Sequence, residues 1–474
     1  MTATTPPSLS DSPLFFCGIG GSGMMPLAQI AKGMGRRVAG SDRSFDQGRT
    51  PEKFAWLESH GFELFPQDGS GITSSDQVLI ASAAIEDTVP EVARAKELGC
   101  TRMTRAQLLS TLFNEAPQSI AVGGTSGKST VTAMTAWILY ECGRDPTVMN
   151  GAVMKNFTND QNPFASARIG NGGTFISEVD ESDGSIALFQ PDIAVLLNVS
   201  LDHKSMAELR ELFGDYCAAA KCAVINFDDE EARALAPRAS DFVSFAIRSD
   251  DADITTEDGT VEHGRYATIA SVRDNRTGDI AALRVPMPGL HNLSNALAAI
   301  ATARSLGVDL NEAADALPYF SGLARRFDVI GTTASDITVI DDFGHNPEKC
   351  AATLRTMRRK PGRIIAFFQP HGYGPLRKTG GELAQTFADE LTEGDMTIMC
   401  DPVYFGGTTD RSVGTEQVVE AIREKGGTAK HIADRDQCGD YIVGLARPGD
   451  RIVVMGARDD TLTEFARRIF ERLG

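Results

Sequence analysis

Two glycine-rich segments are the parts of the sequence whose residue types and spacing most directly predict chemistry. The second, residues 123–130, reads Gly-Gly-Thr-Ser-Gly-Lys-Ser-Thr and lies between an apolar strand pattern and a strong helical pattern. In such a loop the backbone N–H groups and the Lys128 ammonium surround the β and γ phosphates of a nucleotide, and the Ser129 hydroxyl binds magnesium. Val122 stands where the strict form of the loop has glycine. A lysine at a helix N-terminus is unfavourable unless an anion lies beside it, so the sequence predicts a phosphate loop.

The first glycine-rich segment, residues 18–23, reads Gly-Ile-Gly-Gly-Ser-Gly, follows a strand pattern and opens a helical one. Asp42 follows 19 residues after its last glycine. Glycines let the backbone approach a diphosphate, and a carboxylate at this spacing can accept a hydrogen bond from a ribose hydroxyl. The pattern predicts a diphosphate site, and it suits a nicotinamide cofactor as well as the diphosphate of a UDP-sugar.

Two polar segments follow apolar strand patterns at the positions where ligands bind in α/β proteins. Residues 178–183 carry four acids within six positions, and such a cluster repels itself unless a cation lies near it. Beside a nucleotide site that cation would be magnesium, with Glu178 as a ligand. Residues 198–203 read Asn-Val-Ser-Leu-Asp-His, and His203 is a candidate second metal ligand.

The composition excludes several classes of partner. Asp and Glu number 64 against 46 Lys and Arg, and the resulting formal charge of −18 argues against nucleic acid or an anionic membrane surface. No apolar run is long enough to span a bilayer, and the first residues lack the features of a secretory signal, so we expect a cytoplasmic protein. The 8 cysteines form no CxxC pair, which favours buried reduced thiols.

Apolar runs alternate with helical patterns along nearly the whole chain, which predicts an α/β protein with mostly parallel strands. We expect three domains, at residues 1–115, 116–322 and 323–474, with residues 250–285 forming a small antiparallel insertion in the second. The predicted strands are 13–17, 77–81, 119–122, 193–198, 337–340, 363–368 and 451–455. The predicted helices are 24–34, 91–98, 129–141, 206–220, 292–306 and 461–472.

In this order the motifs resemble those of the Mur ligase family, ATP-dependent enzymes that form amide bonds in bacterial cell-wall precursor synthesis. The resemblance covers essentially the whole chain. The motifs that carry it are GIGGSGM at 18–24, GSD at 40–42, ASAAI at 81–85, GTSGKST at 124–130, EVDESDGS at 178–185, NVSLDH at 198–203, HNLSNALAA at 291–299, ARRFDVIG at 324–331, DDFGHNP at 341–347 and FQPH at 368–371.

The resemblance implies a Rossmann-like UDP-binding domain, a central P-loop ATPase domain and a Rossmann-like C-terminal domain that presents the incoming amine. It implies ATP and Mg²⁺ as cofactors, and an amide bond between the carboxylate of UDP-N-acetylmuramate and an amino acid, L-alanine, through an acyl phosphate. The implied UDP-sugar residues are Gly20, Gly21, Ser22, Gly23, Met24, Asp42 and Ser82. The implied ATP residues are Gly124, Thr125, Ser126, Gly127, Lys128, Ser129, Thr130, Asn292, Asn295, Arg326 and Asp341. The implied metal ligands are Ser129, Glu178 and His203, and the implied catalytic residues are Lys128, His203, Arg326 and His345.

Several positions depart from the family pattern. Ser126 replaces a usual histidine, Asn346 stands where a second histidine is usual, and the arginines expected after FQPH are replaced by a Gly-Tyr-Gly-Pro-Leu-Arg run. We expect Arg377, with His371, to bind the amino-acid carboxylate in a pocket reshaped by an extra Gly-Pro turn. A ligase that adds a preformed peptide, a paralogue with another amine and an inactive scaffold stay open, as does the choice between monomer and homodimer. A nicotinamide-dependent dehydrogenase would leave the phosphate loop unexplained.

Overall fold

Three sheets organise the chain, each with helices beside it. The computed structural model describes residues 12–83, 85–201, 204–264, 267–403, 413–457, 459 and 461–474. These residues fall into two compact units, the first ending at Ser321 and the second beginning at Gly322. The first unit contains two of the sheets and the second unit contains the third.

The first sheet has five parallel strands among the described residues, in the order β3-β2-β1-β4-β5. Its elements are β1 (Leu14–Cys17), α1 (Met24–Gly33), β2 (Val38–Ser41), α2 (Arg43–Asp46), α3 (Pro51–Ser59), β3 (Glu63–Phe65), β4 (Val78–Ala81), α4 (Pro90–Leu98), β5 (Thr101–Thr104) and α5 (Arg105–Asn114). Every residue of β1 is buried, because alternate side chains pack into the helix layers on opposite faces of the sheet. Strand order reverses beside β1, so the loop after β1 opens at the place where α/β sheets bind ligands.

The second sheet places β6 at its centre, between β9 and β10. Its elements are β6 (Gln118–Gly123), α6 (Lys128–Glu141), β7 (Thr147–Met149), β8 (Ala167–Arg168), β9 (Thr174–Glu178), β10 (Ile193–Leu196), α7 (Met206–Ala219), β11 (Cys222–Asn226), α8 (Glu230–Ala234), β12 (Phe242–Ala246), β13 (Ile254–Thr256), β14 (Glu262–His263), β15 (Thr268–Asp274), β16 (Ile280–Val285), α9 (Leu290–Ser305) and α10 (Leu310–Ala316). Strands β14, β15 and β16 pair in an antiparallel manner and extend the parallel part through β13, which confirms the predicted insertion.

The third sheet has the strand order β17-β18-β22-β19-β20-β21, and only the β17–β18 pair is antiparallel among its described strands. Its elements are β17 (Asp328–Thr332), β18 (Thr338–Asp342), α11 (Pro347–Arg358), β19 (Ile364–Gln369), α12 (Tyr373–Glu390), β20 (Met396–Met399), α13 (Thr415–Glu424), β21 (Ala429–His431), α14 (Arg435–Leu445), β22 (Arg451–Gly456) and α15 (Thr461–Leu473). Buried apolar clusters lie on both faces of this sheet.

The predicted α/β class with mostly parallel sheets is confirmed. Each predicted strand and helix coincides with an observed one, and their ends differ by at most two residues. The ranges 1–115, 116–322 and 323–474 stay our proposal for the domain boundaries. In the described part of the chain, no helix is both long and apolar enough to cross a bilayer.

All eight cysteines are free thiols. Burial raises the pKa of every one of them, to about 11 for Cys17 and to about 12 for Cys217 and Cys438. Because the thiolate is the reactive form, the raised pKa values make these side chains slow to react at neutral pH.

Candidate active site

The first glycine-rich loop leaves the end of β1 and runs into α1. No side chain caps α1 at Gly23, and no acceptor for the N–H groups of Ser22 and Gly23 is found among the described residues. Gly20 is required by close approach, since a Cβ atom there would lie 2.9 Å from the ring of Phe54. The loop therefore presents free N–H donors at a helix N-terminus, which is the arrangement that suits a phosphate group.

Asp42 lies beside this loop, and both of its carboxylate oxygens already accept hydrogen bonds. Oδ2 accepts from the backbone N–H of Gly20 at 2.9 Å, and Oδ1 accepts from that of Ser44 at 2.8 Å, where Asp42 caps α2. The side chain is buried. This geometry gives Asp42 a role in fixing the loop, and its expected contact with a ribose stays a prediction.

The other expected UDP-sugar residues differ in how much of each is exposed to solvent. Gly21 and Ser22 are exposed at the loop, and Ser82 is exposed after the end of β4. The side chain of Met24 is buried, and its N–H donates to the carbonyl of Gly21. Met24 could therefore act on a ligand only through the N-terminus of α1.

Two cations near this loop were missed by the sequence analysis. Lys53 Nζ, from α3, donates to the carbonyl of Gly20 at 3.2 Å. Arg105, the first residue of α5, lies against Gly23, where an added Cβ would be 3.2 Å from its Cδ. The available signal for Arg105 was its position directly after a strand, at the edge where the glycine loop opens.

The phosphate loop connects β6 to α6. Gly124 and Gly127 have φ angles of 132° and 91°, which L side chains rarely adopt. Helix α6 begins at Lys128 with no side-chain cap, so its first N–H groups and its dipole point at the loop. Ser129 and Thr130 are half-buried in the first turn of this helix.

Lys128 is held by a carboxylate from the acidic segment. Its ammonium donates to Glu181 Oε2 at 2.8 Å and to the carbonyl of Gly124 at 2.7 Å. Glu181 is buried, with about 5% of its surface exposed. An anion that reached Lys128 would therefore meet an ammonium that is already paired.

Ser129 and Glu178 meet at the position expected for magnesium. The hydroxyl of Ser129 donates to Glu178 Oε2 at 2.7 Å, and a Cβ atom at Gly151 would overlap Glu178 Oε1. Both side chains offer the hard oxygen ligands that Mg²⁺ takes beside phosphate groups. His203 lies outside the described residues, and within those residues no cluster of three or more His, Cys, Asp or Glu could hold a metal. The pair therefore suits a magnesium that is also bound by nucleotide oxygens.

Asn198 was also missed, although its motif was recognised. Its side-chain oxygen accepts from the N–H of Ser126 at 2.8 Å, and its Nδ2 donates to the carbonyl of Ser126 at 3.0 Å. Its own carbonyl accepts from the N–H of Thr125. Asn198 thus fixes the phosphate loop to the end of the neighbouring strand β10.

The two expected asparagines of α9 differ in placement. Asn295 reaches the phosphate loop, where a Cβ atom on Gly127 would lie 2.7 Å from its Oδ1. Asn292 is buried, and its Nδ2 donates to the carbonyl of Pro288 at 2.8 Å. Asn295 therefore lies at the phosphate loop, whereas the side chain of Asn292 bonds to the carbonyl of Pro288 at the start of α9.

Arg326, Asp341, His345, His371 and Arg377 belong to the second unit. Arg326 lies between two residues with left-handed backbone, Arg325 at φ 60° and Phe327 at φ 48°. This conformation is strained for residues other than glycine. The guanidinium of Arg326 lies 5.0 Å from the centroid of the Phe343 ring.

Asp341 is fully buried below that turn. It pairs with Arg325 at 3.4 Å and accepts from the hydroxyl of Thr463 at 2.6 Å. Burial raises its pKa to about 6, although the charge of Arg325 opposes the shift. Its expected contact with ATP stays a prediction, since its partners here are side chains of its own unit.

His345 and His371 are close together, with their ring centroids 5.4 Å apart. Nδ1 of His345 is 3.0 Å from the carbonyl of Phe343. Burial lowers the pKa of His345 to about 4, so its imidazole is neutral at pH 7.

The extra Gly-Pro turn expected near Arg377 is wrong. Gly374 and Pro375 lie inside the first turn of α12, where proline is tolerated because no intrahelical acceptor is needed for its missing N–H. Arg377 follows on the same helix with an exposed side chain. The expected contact of Arg377 and His371 with an amino-acid carboxylate stays a prediction.

The first unit has the arrangement typical of an enzyme that uses a nucleoside triphosphate, and its first glycine-rich loop suits a diphosphate. Three family models match the chain: "Mur ligase family, catalytic domain" at residues 14–116, "Mur ligase middle domain" at 122–303, and "Mur ligase, glutamate ligase domain" at 325–458. Their order follows the order of the three sheets.

Full-length relatives agree with the models. The chain is 33% identical over 98% of its length to the UDP-N-acetylmuramate–L-alanine ligase of Desulforamulus reducens, and it covers 98% of that protein. It is 30% identical to the protein of the same name from Sulfurihydrogenibium, with 95% of this chain and 97% of the relative covered.

Solved structures show the same likeness. The UDP-N-acetylmuramate-alanine ligase of Thermotoga maritima is similar, with a TM-score of 0.78, 26% identity and coverage of 97% of this chain and 99% of that one. A murein peptide ligase from Psychrobacter arcticus shares the fold at a TM-score of 0.71 and 24% identity, with 98% and 99% covered. The chain belongs to the Mur ligase family. As the sequence predicts, it is an ATP-dependent enzyme that forms amide bonds.

Proposed function

We propose that this enzyme joins the carboxylate of UDP-N-acetylmuramate to the amino group of L-alanine and converts ATP to ADP and phosphate. The observation that carries the proposal is the phosphate loop with its Lys128 and its Ser129–Glu178 pair, in a chain that matches ligases of this name over nearly their full length. The first glycine-rich loop supplies a separate diphosphate site, which a UDP-linked substrate requires.

The reaction has two steps. An oxygen of the sugar carboxylate attacks the γ-phosphorus of ATP, ADP leaves, and an acyl phosphate forms. The amine then attacks the acyl carbon, phosphate leaves, and the amine gives up a proton. Both steps depend on charge neutralisation and positioning, and no covalent protein nucleophile takes part.

The phosphoryl transfer assigns clear roles to the residues of the first unit. The Lys128 ammonium leaves Glu181 and neutralises the transferring phosphoryl group. Ser129 and Glu178, together with His203, hold magnesium. Bound there, magnesium supplies charge stabilisation at the phosphate oxygens. Asn295 lies beside the loop and contributes to nucleotide binding in this proposal.

The second unit supplies a cation for the phosphates and the residues for the amine. The cation is Arg326. The neutral His345 beside His371 can accept a hydrogen bond from the amine. Arg377, with His371, binds the carboxylate of the amino acid, for which the guanidinium fork is suited.

The substrates set the cellular setting of the proposal. ATP and a nucleotide sugar are cytoplasmic metabolites, so we place the enzyme in the cytoplasm. With a formal charge of −18 it has no nucleic-acid or membrane partner in this proposal. It acts as a monomer or a homodimer.

Phosphate release tests the proposal. The enzyme is incubated with ATP, magnesium and UDP-N-acetylmuramate, and each amino acid is added in turn. L-Alanine should give the highest kcat/KM, and UDP-N-acetylglucosamine, which lacks the carboxylate, should give no release. A preformed peptide that replaces L-alanine would establish the peptide-adding reaction instead, and no release with any amine would indicate an inactive scaffold.

The amino-acid site has its own test. Arg377→Lys keeps the charge but loses the fork, so the KM for the amino acid should rise about tenfold while the KM for ATP should not change. Arg355→Lys, at an exposed arginine of α11, is the control. Equal amino-acid KM values for wild type and Arg377→Lys would show that another group binds the carboxylate.

A further inference from the structure

Asp459 is a mostly buried acid of the second unit that the reaction described above does not use. It lies in the short segment between β22 and α15, and 13% of its side chain is exposed. We propose that Asp459 is a positioning residue for the ligation, because it joins the loop that carries His371 to the turn that carries Arg326. This assignment rests on the proposed function for the roles of His371 and Arg326.

The carboxylate of Asp459 makes the first connection, to the end of β19. Its Oδ2 accepts from Nε2 of Gln369 at 2.7 Å. Gln369 is the last residue of β19, has 2% of its surface exposed, and precedes His371 by two positions. The carboxylate therefore fixes the point from which the loop with His371 leaves the sheet.

The backbone of Asp459 makes the second connection, to the turn before β17. Its carbonyl accepts from Nη1 of Arg325 at 3.0 Å, and the carbonyl of Arg325 accepts from the N–H of Phe343 at 2.7 Å. Arg325 directly precedes Arg326 and has a left-handed backbone at φ 60°. A residue keeps such a conformation only where its surroundings determine it, so the contact with Asp459 helps to hold Arg326 in place.

An ion pair and a helix start keep Asp459 itself fixed. Nη1 of Arg435, the first residue of α14, donates to Asp459 Oδ2 at 2.9 Å. The N–H and the hydroxyl of Thr461, where α15 begins, donate to Asp459 Oδ1 at 3.0 Å and 2.5 Å. Burial raises the pKa of Asp459. The hydrogen bonds from Thr461 and Gln369, together with the positive charge of Arg435, outweigh burial and hold that pKa below its usual value, so the carboxylate is charged at neutral pH.

The hydrogen bonds of Asp459 argue for positioning rather than for substrate binding. A carboxylate has about four accepting directions, and the four donors named above use all of them. An incoming ammonium group would have to displace one of these donors. Asp459 follows β22, which lies beside β19 at the centre of the third sheet, and ligands of α/β sheets bind at this carboxyl edge. The residue therefore acts on the edge through the groups that it holds.

Kinetics of the Asp459→Asn variant test the inference. The amide keeps the size of the side chain but has one accepting oxygen instead of two, so it cannot hold all four donors. We expect the KM for the amino acid to rise about tenfold and kcat to fall about tenfold, because both loops lose their fixed geometry. UDP binding, measured by calorimetry, should stay within about twofold of wild type, because its loop belongs to the first unit. Asp436→Asn, at an exposed acid of α14 paired with Arg468, is the matched control.

Two further variants separate positioning from a general loss of stability. A variant that only lost folded enzyme would lower kcat and leave the KM for the amino acid unchanged. Asp459→Glu keeps the charge and should show a smaller rise in that KM. The double variant Asp459→Asn, Arg435→Met should raise the KM no further than the larger of its two single variants, because the two residues act as one unit.

The possible results have distinct meanings. An amino-acid KM equal to that of wild type in Asp459→Asn, or a strictly additive rise in the double variant, would overturn the inference alone. Failure of the wild-type enzyme to ligate any amine would overturn the proposed function.

Discussion

The two glycine-rich loops are built on the same strand–loop–helix plan and differ in where their cations come from. The loop at residues 123–130 carries its own Lys128, which is paired with Glu181. The loop at residues 18–23 carries none and has Arg105 beside it from another helix. A loop that only binds a diphosphate can take a fixed cation from its surroundings. A loop that takes part in phosphoryl transfer needs a cation that follows the transferring group.

The loops also differ in what fixes them. Asp42 accepts from the N–H of Gly20 in the first loop, while Asn198 holds both the N–H and the carbonyl of Ser126 in the second. Each holding side chain comes from the end of the neighbouring strand, so the sheet order decides which residue holds which loop. Four predictions test this difference between the loops.

Lys128→Ala should have the largest effect. Loss of the cation at the transferring phosphoryl group should lower kcat about a hundredfold or more, on the order of 3 kcal/mol of transition-state stabilisation. UDP binding should stay as in wild type, because the first loop is separate. Steady-state phosphate release and UDP calorimetry measure the two effects, with Lys96→Ala, at an exposed lysine of α4, as the control. Turnover above a tenth of wild type would remove Lys128 from this role.

Glu178→Gln should raise the magnesium concentration for half-maximal activity about tenfold, because an amide is a weaker ligand for a hard cation than a carboxylate. His203→Ala should shift the same titration in the same direction. Asp183→Asn, at an exposed acid of the same segment, is the control. Magnesium titrations identical to wild type would place Glu178 and His203 outside the metal site.

Asp42→Ala and Asn198→Ala should each weaken the binding of a different ligand. Each leaves backbone groups of one loop without a partner, at a cost of about 1–3 kcal/mol. Asp42→Ala should weaken UDP binding and leave the KM for ATP unchanged, and Asn198→Ala should do the reverse. Calorimetry and ATP saturation curves on both variants provide the measurement. If both variants weakened both ligands equally, the loops would not be held independently.

Glu181→Gln should have the smallest effect. Without its carboxylate, Lys128 lies partly buried without its ion-pair partner until ATP arrives, so the KM for ATP should fall about two- to fivefold. The ATP-free enzyme should melt at a lower temperature, and ATP should restore most of the difference. A KM for ATP that is unchanged or higher would show that the ion pair does not compete with the nucleotide.

Local patterns in the sequence were enough to place seven strands, six helices and both loops. Apolar runs placed the strands to within two residues, and Gly-Lys-Ser at a helix start placed the second loop. The partners of the loops could not be predicted, because Glu181 is 53 and Asn198 is 72 residues away from its contact and only the sheet order brings them close. Pro375 was misassigned because proline is compatible with a turn as well as with the first turn of a helix.

Five of the eight free thiols are buried and three are half-buried, which makes the enzyme a convenient host for chemical labelling. Since burial raises the pKa of all eight cysteines, a maleimide at neutral pH reacts with them slowly. One cysteine introduced at an exposed residue of each unit would therefore be labelled in preference to the native thiols. A pair of fluorophores attached in this way would report the distance between the two units as each substrate is added, without first removing any native cysteine.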